Sequence, residues 1–434
     1  MRWTRTRAVS AFAVGTASAL LLSACSGGEA TPTTDVSHAP VTISVGYYGN
    51  FGLQKLETQY EKEHPWVTID LVTGAYAAQH DLLQQALITG SGAYTVTAVD
   101  ESYINRFVSQ PNGFVNLVDL GANDLKSSFL PWAWAEGSTP DESTVIGIPN
   151  DVYGLALCYR ADLFDKAGID SSREAVSAAI GDSWDDFISM GEKYVAATGK
   201  PFIDDATYVL NPVIRQLGTG HGYYGLDQKL DLESIKPAFD TTTSIITSNL
   251  SANMEPLATE WNAGVSTDAF ATTLCPQWML GYIQSQVPDD FAGKWDIADI
   301  PGPGGNWGGS FFTIPNQGSV YEQQQAFELI KWLSQPEQQA VMTKETGALS
   351  AQTALLQSDQ VKEFSSEFFN NAPYGDIFAK TVLDIPEATH WGTNELWVRT
   401  AVENVLNDVQ AGSISVADAW DAAVAAAEAA DAAT

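Results

Sequence analysis

Val41-Thr-Ile-Ser-Val-Gly-Tyr-Tyr-Gly-Asn-Phe-Gly-Leu-Gln-Lys-Leu-Glu-Thr-Gln-Tyr60 decides the fold. Val41, Ile43 and Val45 alternate with polar residues, the period-two pattern of a strand that ends near Tyr47–Asn50. Leu53, Leu56 and Tyr60 then return at helical spacing. The alternation resumes at Val67, Ile69 and Leu71, a second helix is marked by Leu82, Leu83, Ala86 and Leu87, and a third strand is expected at 94–99. A β-α-β-α-β order predicts an α/β fold with a parallel sheet and helices packed on it. Ligands bind beyond the carboxyl ends of such strands. Tyr47–Phe51, Gly74–Tyr76 and Asp100–Tyr103 fall at those ends.

Further along, residues 155–300 are mostly helical in pattern. Trp184–Ala197 has Ser183 as N-cap and Gly199 as stop, and Ile235–Thr247 reads as another helix. Strand-like Trp295–Ile300 runs into Pro301-Gly302-Pro303-Gly304-Gly305, a turn cluster that no helix accommodates. Ala326, Ile330 and Leu333 line one helix. Ser334-x-x-Glu337 with Pro336 predicts a capping-box start for the next. Val402, Val405, Leu406 and Val409 form a stripe closed by Gly412. The last helix is expected to carry Val416, Trp420, Ala423 and Val424 on one face and to fray after Ala425.

The chain has 434 residues, 45% hydrophobic and 11% aromatic, enough for several cores and unlike a disordered or fibrous protein. Lys and Arg number 21 against 53 Asp and Glu, a net charge of −32. Such a field repels phosphate backbones, so no nucleic-acid partner is expected. It also repels anionic head groups, so membrane attachment would have to be covalent or hydrophobic. Arg2, Arg5 and Arg7 precede an uncharged run from Ala8 to Leu22, too short to span a bilayer and patterned as a secretory signal over 1–24. It ends in Leu22-Ser23-Ala24-Cys25, which resembles the bacterial lipobox, with Cys25 as the lipid-anchor residue. Residues 25–40 are Gly, Ser, Thr and Pro-rich and read as a flexible tether. The expected location is the outer face of the cytoplasmic membrane. Outside the cell a disulfide between Cys158 and Cys275 is permitted, two buried thiols being the alternative.

Several segments resemble the extracellular solute-binding lipoproteins of bacterial carbohydrate ABC importers, in their actinobacterial form. Gly147-Ile-Pro-Asn-Asp-Val-Tyr-Gly-Leu-Ala-Leu-Cys-Tyr-Arg-Ala-Asp-Leu-Phe-Asp-Lys-Ala-Gly168 is similar to that family's crossover strand and following helix. Asn306-Trp-Gly-Gly-Ser-Phe-Phe-Thr-Ile-Pro315 is similar to the return strand. Ala326–Ser350 resembles the helix pair and third crossover, and Gln410–Trp420 the C-terminal helix. The resemblance implies a periplasmic-binding-protein-like fold of two α/β lobes joined by three crossovers, with ligand in the cleft. Lobe 1 would be 41–150 plus 308–348, and lobe 2 would be 152–305 plus 350–434. It implies no chemistry on the ligand and no cofactor, but capture of an oligosaccharide by a monomer and delivery to ABC permease subunits.

Sugar rings need flat aromatic platforms for their C–H faces and directional hydrogen-bonding groups for their hydroxyl rims. Candidates at strand ends and glycine-rich turns are Asn50, Phe51, Tyr76, Asp100, Glu101, Trp278, Trp307, Gly309 and Ser310. The resemblance adds Asp151 and Tyr153 at the crossover. Asn211, with its neighbour Tyr208, and Trp391 complete the set, while Trp184, Trp332, Trp397 and Trp420 are assigned to packing. The segments Trp184–Asp205 and Trp261–Met279 resemble binders of β-linked, cellobiose-like oligosaccharides or xylo-oligosaccharides. Competing readings are an extracellular glycoside hydrolase, which needs a carboxylate pair across a cleft, and a peptide-binding protein of the same fold. HExxH, GxSxG and GxxxxGK[ST] are absent, and five scattered histidines give no metal-ligand pattern.

Overall fold

The structure is a computed structural model that describes residues 38–181, 183–218, 221–225, 227–386, 392 and 394–433. The leader, Cys25 and most of the tether therefore lie outside the described residues. Residues 40–434 form one compact unit. Its strands are β1 (Val41–Tyr48), β2 (Val67–Gly74), β3 (Val96–Asp100), β4 (Gly147–Arg160), β5 (Thr272–Pro276), β6 (Trp295–Ala298), β7 (Asn306–Thr313) and β8 (Leu349–Ser350). They make a mixed sheet in the order β2-β1-β3-β7-β4-β5, with β6 and β8 also pairing β4.

β1 runs parallel to β2 and to β3, as their helical connections require. β7 then enters antiparallel between β3 and β4. The sheet is thus parallel only over the segment from which parallel order was read. Ile43, Val45, Ile69 and Val96 bury one face of it with Leu53, Leu56 and Tyr60 of the first helix. Each fully buried aliphatic side chain of this kind contributes about 1.5–3 kcal/mol.

β4 is 14 residues long and changes partners along its length. Up to Gly154 it pairs β7 and β8, with register shifts at Pro149/Asp151 and Val152/Gly154. From Leu155 it pairs β5 and β6 without interruption. Here Ala156 and Cys158 enter one core while Leu155, Leu157 and Tyr159 enter a second, with Phe187, Phe202, Val402 and Leu406. Cys158 forms a disulfide with Cys275 on β5, their Cα atoms 5.7 Å apart.

Helix signals held well in the middle of the chain. Trp184–Thr198 has Ser183 as its N-cap, accepting from the Asp186 N–H, and Gly199 as its C-cap. Four expectations in the last third of the chain fail for local reasons. Ser334 ends the Val320–Leu333 helix, donating back to the Ile330 carbonyl, because Pro336 in the first turn makes Gln335 the cap of the next. The capping box belongs instead to Ser319 and Glu322. In the last helix, Val416–Ala432, Ala419, Ala423 and Ala427 are buried and Val416 is exposed, since close approach of the Glu395–Gln410 helix favours the smallest side chains. The helix continues through the alanine-rich end, where Asp431 accepts from Tyr224 and Asn394. Trp397, assigned to packing, is 46% exposed because it faces away from the Val398–Val402 stripe.

Candidate functional site

A cavity of about 1280 Å³ opens between the carboxyl ends of β1 and β3, the irregular stretch of β4 and β7, and the Glu395–Gln410 helix. Asn50, Phe51, Tyr76, Asp100, Glu101, Asp151, Tyr153, Asn211, Trp278, Trp307, Gly309 and Ser310 all line it. Twelve expected residues drawn from seven stretches of sequence thus meet in one place. Trp391 lies outside the described residues.

One wall is built on the end of β3. Asp100 caps the Glu101–Val108 helix, accepting from the Ser102 N–H at 3.0 Å and the Ser102 hydroxyl at 2.6 Å. Tyr76 donates to the same carboxylate at 2.9 Å and Tyr48 at 3.3 Å. Behind them, buried His80 accepts the Asp100 N–H on Nε2 at 2.9 Å. Its Nδ1 lies 2.8 Å from the Tyr76 carbonyl, so the neutral ring carries its proton there. Burial holds the His80 pKa below its ordinary value and keeps that tautomer neutral. His80 stacks on Tyr103 with ring centroids 4.0 Å apart. The Tyr76 ring projects from this support and is 43% exposed. Phe51 is only 5% exposed and packs on Tyr48 and Phe312, so it backs the wall more than it faces the opening.

The floor is the β4–β7 crossing. Ser310 donates to Asp151 at 2.6 Å and accepts from Asn150 at 3.2 Å. The Asp151 carboxyl is pushed up to about 6 by desolvation, with Asp100 adding to the rise and the Ser310 hydrogen bond opposing it. Tyr153 donates to Asp151 at 3.4 Å. Asn306 accepts the Tyr153 N–H at 2.9 Å and donates to Glu101 at 3.0 Å. Gly308 and Gly309 have φ of +108° and +138°, and a Cβ on Gly309 would stand 2.7 Å from the Asp151 carbonyl oxygen. Glycine is required there for the backbone to carry Trp307 into the opening.

Three rings form the aromatic side. Trp307 lies 5.1 Å from Tyr208 and 6.1 Å from Trp278, centroid to centroid. The Trp278 indole N–H donates to the Trp307 carbonyl at 3.1 Å, which fixes both. Each is half-buried, with part of its surface toward the cavity.

The far wall is polar and largely paired with itself. Asn211 donates to Glu403 at 2.6 Å and accepts from Tyr223 at 3.0 Å. Arg399 lies 3.4 Å from Glu395 and 4.0 Å from Glu403. Burial disfavours the Arg399 cation, but these carboxylates outweigh it and hold its pKa above the ordinary value. Arg215 binds Glu101 across the cavity and Glu136 at 2.8 Å. Glu101 is thereby committed to Arg215, Asn306 and the Gly308 N–H.

Tyr48, Arg215, Asn306, Arg399 and Glu403 line the cavity without having been singled out from the sequence. Among the described residues no group of three or more His, Cys, Asp or Glu is placed to hold a metal ion.

With this geometry established, comparison with known proteins places the chain. A family model described as bacterial extracellular solute-binding protein matches residues 52–340. A solved extracellular solute-binding protein of family 1 superposes with a TM-score of 0.85 at 31% identity, covering 90% of this chain and 100% of that one. The cyclic alpha-maltosyl-1,6-maltose binding protein of Arthrobacter globiformis superposes with a TM-score of 0.73 at 18% identity, covering 90% and 99%, a likeness of fold. The arabinooligosaccharide-binding protein of Halalkalibacterium halodurans is 24% identical over 253 residues. That match covers 56% of this chain and 54% of the relative, so the chain spans about half the length of that curated protein. The periplasmic-binding-protein-like fold and the matched family model agree, and this chain belongs to the bacterial extracellular solute-binding proteins.

Proposed function

We propose that this chain is a lipid-anchored binding protein that captures oligosaccharides and delivers them unchanged to an ABC permease. The observation that carries this reading is the pairing of aromatic platforms with neutral-donor-bound carboxylates around one cavity, Trp278, Trp307 and Tyr208 opposite Asp100 and Asp151. Such a surface matches the C–H faces and hydroxyl rims of sugar rings. A volume of about 1280 Å³ suits a di- to tetrasaccharide better than one ring.

The proposed lobes are 41–150 plus 308–348 and 152–305 plus 350–434, the first crossing lying within β4. Closure would bend the chain near Asn150–Asp151, Gly304–Gly308 and Gly347–Ser350. A sugar touching both sides stabilises the closed form, and a ligand touching one side alone shifts nothing. Cys25 is the proposed lipid site, on the outer face of the cytoplasmic membrane. The protein is proposed to act as a monomer toward the permease.

For the cargo, β-linked cellobiose-like sugars or xylo-oligosaccharides are our reading. Arabino-oligosaccharides are the competing class, because the curated relative is named for one. Calorimetric titration of residues 41–434 with cellobiose, xylotriose, galactobiose and arabinotriose, followed by product analysis, tests this. Saturable binding with intact sugar supports it. Shortened products would make the chain a hydrolase, and no heat from any sugar would reopen peptides as cargo.

A further inference from the structure

The charge of the cavity is more lopsided than that of the chain. Among the described residues nine carboxylates and two guanidiniums line it, and no lysine or histidine does. Both guanidiniums are spoken for: Arg399 lies between Glu395 and Glu403, and Arg215 is bound by Glu101 and Glu136. A sugar carboxylate is recognised most strongly by a guanidinium fork presenting two parallel N–H groups. Here Arg215 is bound between two protein carboxylates, and Arg399 lies 3.4 Å and 4.0 Å from two more.

Asp100 and Asp151 differ from the other acids in what holds them. Their side-chain oxygens accept from hydroxyls and backbone of Tyr48, Tyr76, Ser102, Ser310 and Tyr153, all neutral donors. Hydrogen bonds of this kind orient a carboxylate without cancelling its charge. The two acids sit near enough for Asp100 to oppose ionisation of Asp151. They are acceptor-only groups facing a ligand-sized space, well placed to accept from sugar hydroxyls and badly placed to meet a third negative charge.

Resting on the saccharide reading above, we propose that the cleft selects against acidic sugars, with Asp100 and Asp151 as the residues that set the discrimination. A uronic acid would enter beside both carboxylates with no guanidinium to receive it. Neutral oligosaccharides meet no such repulsion, and an amino sugar would be attracted.

The test pairs each neutral probe with a charged derivative of itself. Cellobiose, galactobiose and arabinotriose are each titrated beside the form whose terminal primary alcohol is oxidised to a carboxylate, at pH 7.5 in low salt. At least one neutral sugar should bind, with its carboxylate derivative weaker by about tenfold or more. Raising the salt should narrow that ratio in the native protein, because ionic strength screens the repulsion. Asp100→Asn and Asp151→Asn should each narrow it too, and the salt series on the native chain stands even if a variant folds poorly. A carboxylate derivative that binds as tightly as its neutral parent overturns this inference and leaves the oligosaccharide reading intact. Binding of carboxylate derivatives alone overturns the selectivity and restricts the cargo to acidic sugars. No binding of any probe removes the saccharide reading and this inference with it.

Discussion

The two halves of β4 are one continuous strand under opposite demands. From Leu155 to Arg160 every residue is buried, the ladders to β5 and β6 are regular, and Cys158 ties the strand to Cys275. From Gly147 to Gly154 the register slips twice against β7, and the two residues left partly exposed are Asp151 and Tyr153. A regular ladder buried on both faces leaves nothing for a ligand to touch. Along the slipped ladder Asp151 and Tyr153, two residues apart, turn into the cavity while Val152 between them is buried and the backbone stays paired. Its polar groups are satisfied by a local network of Asn150, Ser310, Gln339 and Ser350 rather than by apolar packing. Anchor and site are thus separated by a single residue step along one strand.

If the second half is the anchor, cutting its staple should have the largest effect on folding. The disulfide closes a loop with a sequence separation of 117 residues. Cys158→Ala with Cys275→Ala should lower unfolding free energy by about 3–5 kcal/mol. Urea unfolding measures this, and a loss below about 1 kcal/mol would mean the two-sided core alone holds that half.

If the first half depends on its slipped register, glycine at 309 is its weak point. Gly309→Ala adds a Cβ 2.7 Å from the Asp151 carbonyl oxygen at φ +138°. The expected cost is about 2–3 kcal/mol, together with weaker ligand binding as Asp151 and Ser310 shift. An alanine variant as stable as the native protein would show that β7 has room to move away from β4.

Much of the site was legible in the sequence although the split of β4 was not, and the reason is local. Strand alternation at 41–45 and 67–71, the glycine run at 308–309 and the strand-end acids are short-range signals, and they carried the α/β reading and nine of the lining residues, while the two-lobe fold and Asp151 and Tyr153 came from the family resemblance. What was missed depends on distance. Arg215 sits in an ordinary amphipathic helix, and nothing near it in sequence says that it reaches Glu101. Arg399 and Glu403 lie on the polar side of a helix whose apolar stripe is conspicuous, a side that by default faces water. Periodicity tells which face is buried but not what stands opposite the other face. Tyr48 falls within the strand-end stretch Tyr47–Phe51, but only Asn50 and Phe51 of that stretch were chosen as candidates.

The aromatic side offers a direct probe of binding as opposed to folding. Trp307→Ala removes the ring that Tyr208 and Trp278 flank, while the Trp307 carbonyl that accepts from Trp278 is kept. Affinity for the best oligosaccharide should fall about 30-fold, with a smaller change in stability. Unchanged affinity by calorimetry would take the ring out of the site.

The finest test of the comparison is the pH dependence of the one carboxylate on the slipped half. Asp151 titrates at about 6 in the folded protein, against an ordinary value of 3.8. Because the folded state holds the proton more tightly than the unfolded state, stability falls as pH rises from about 4 to about 6 and the full cost persists above. Partial exposure and screening reduce that cost to about 1 kcal/mol. Asp151→Asn keeps an acceptor for the Ser310 hydroxyl and removes the ionisation. It should therefore gain about 1 kcal/mol at pH 7.5 and nothing below pH 4, as read from thermal unfolding across pH. A gain that does not vary with pH would place its cause in packing. No gain at pH 7.5 would mean that solvent reaches Asp151, and the slipped half would be an open surface instead of a desolvated floor.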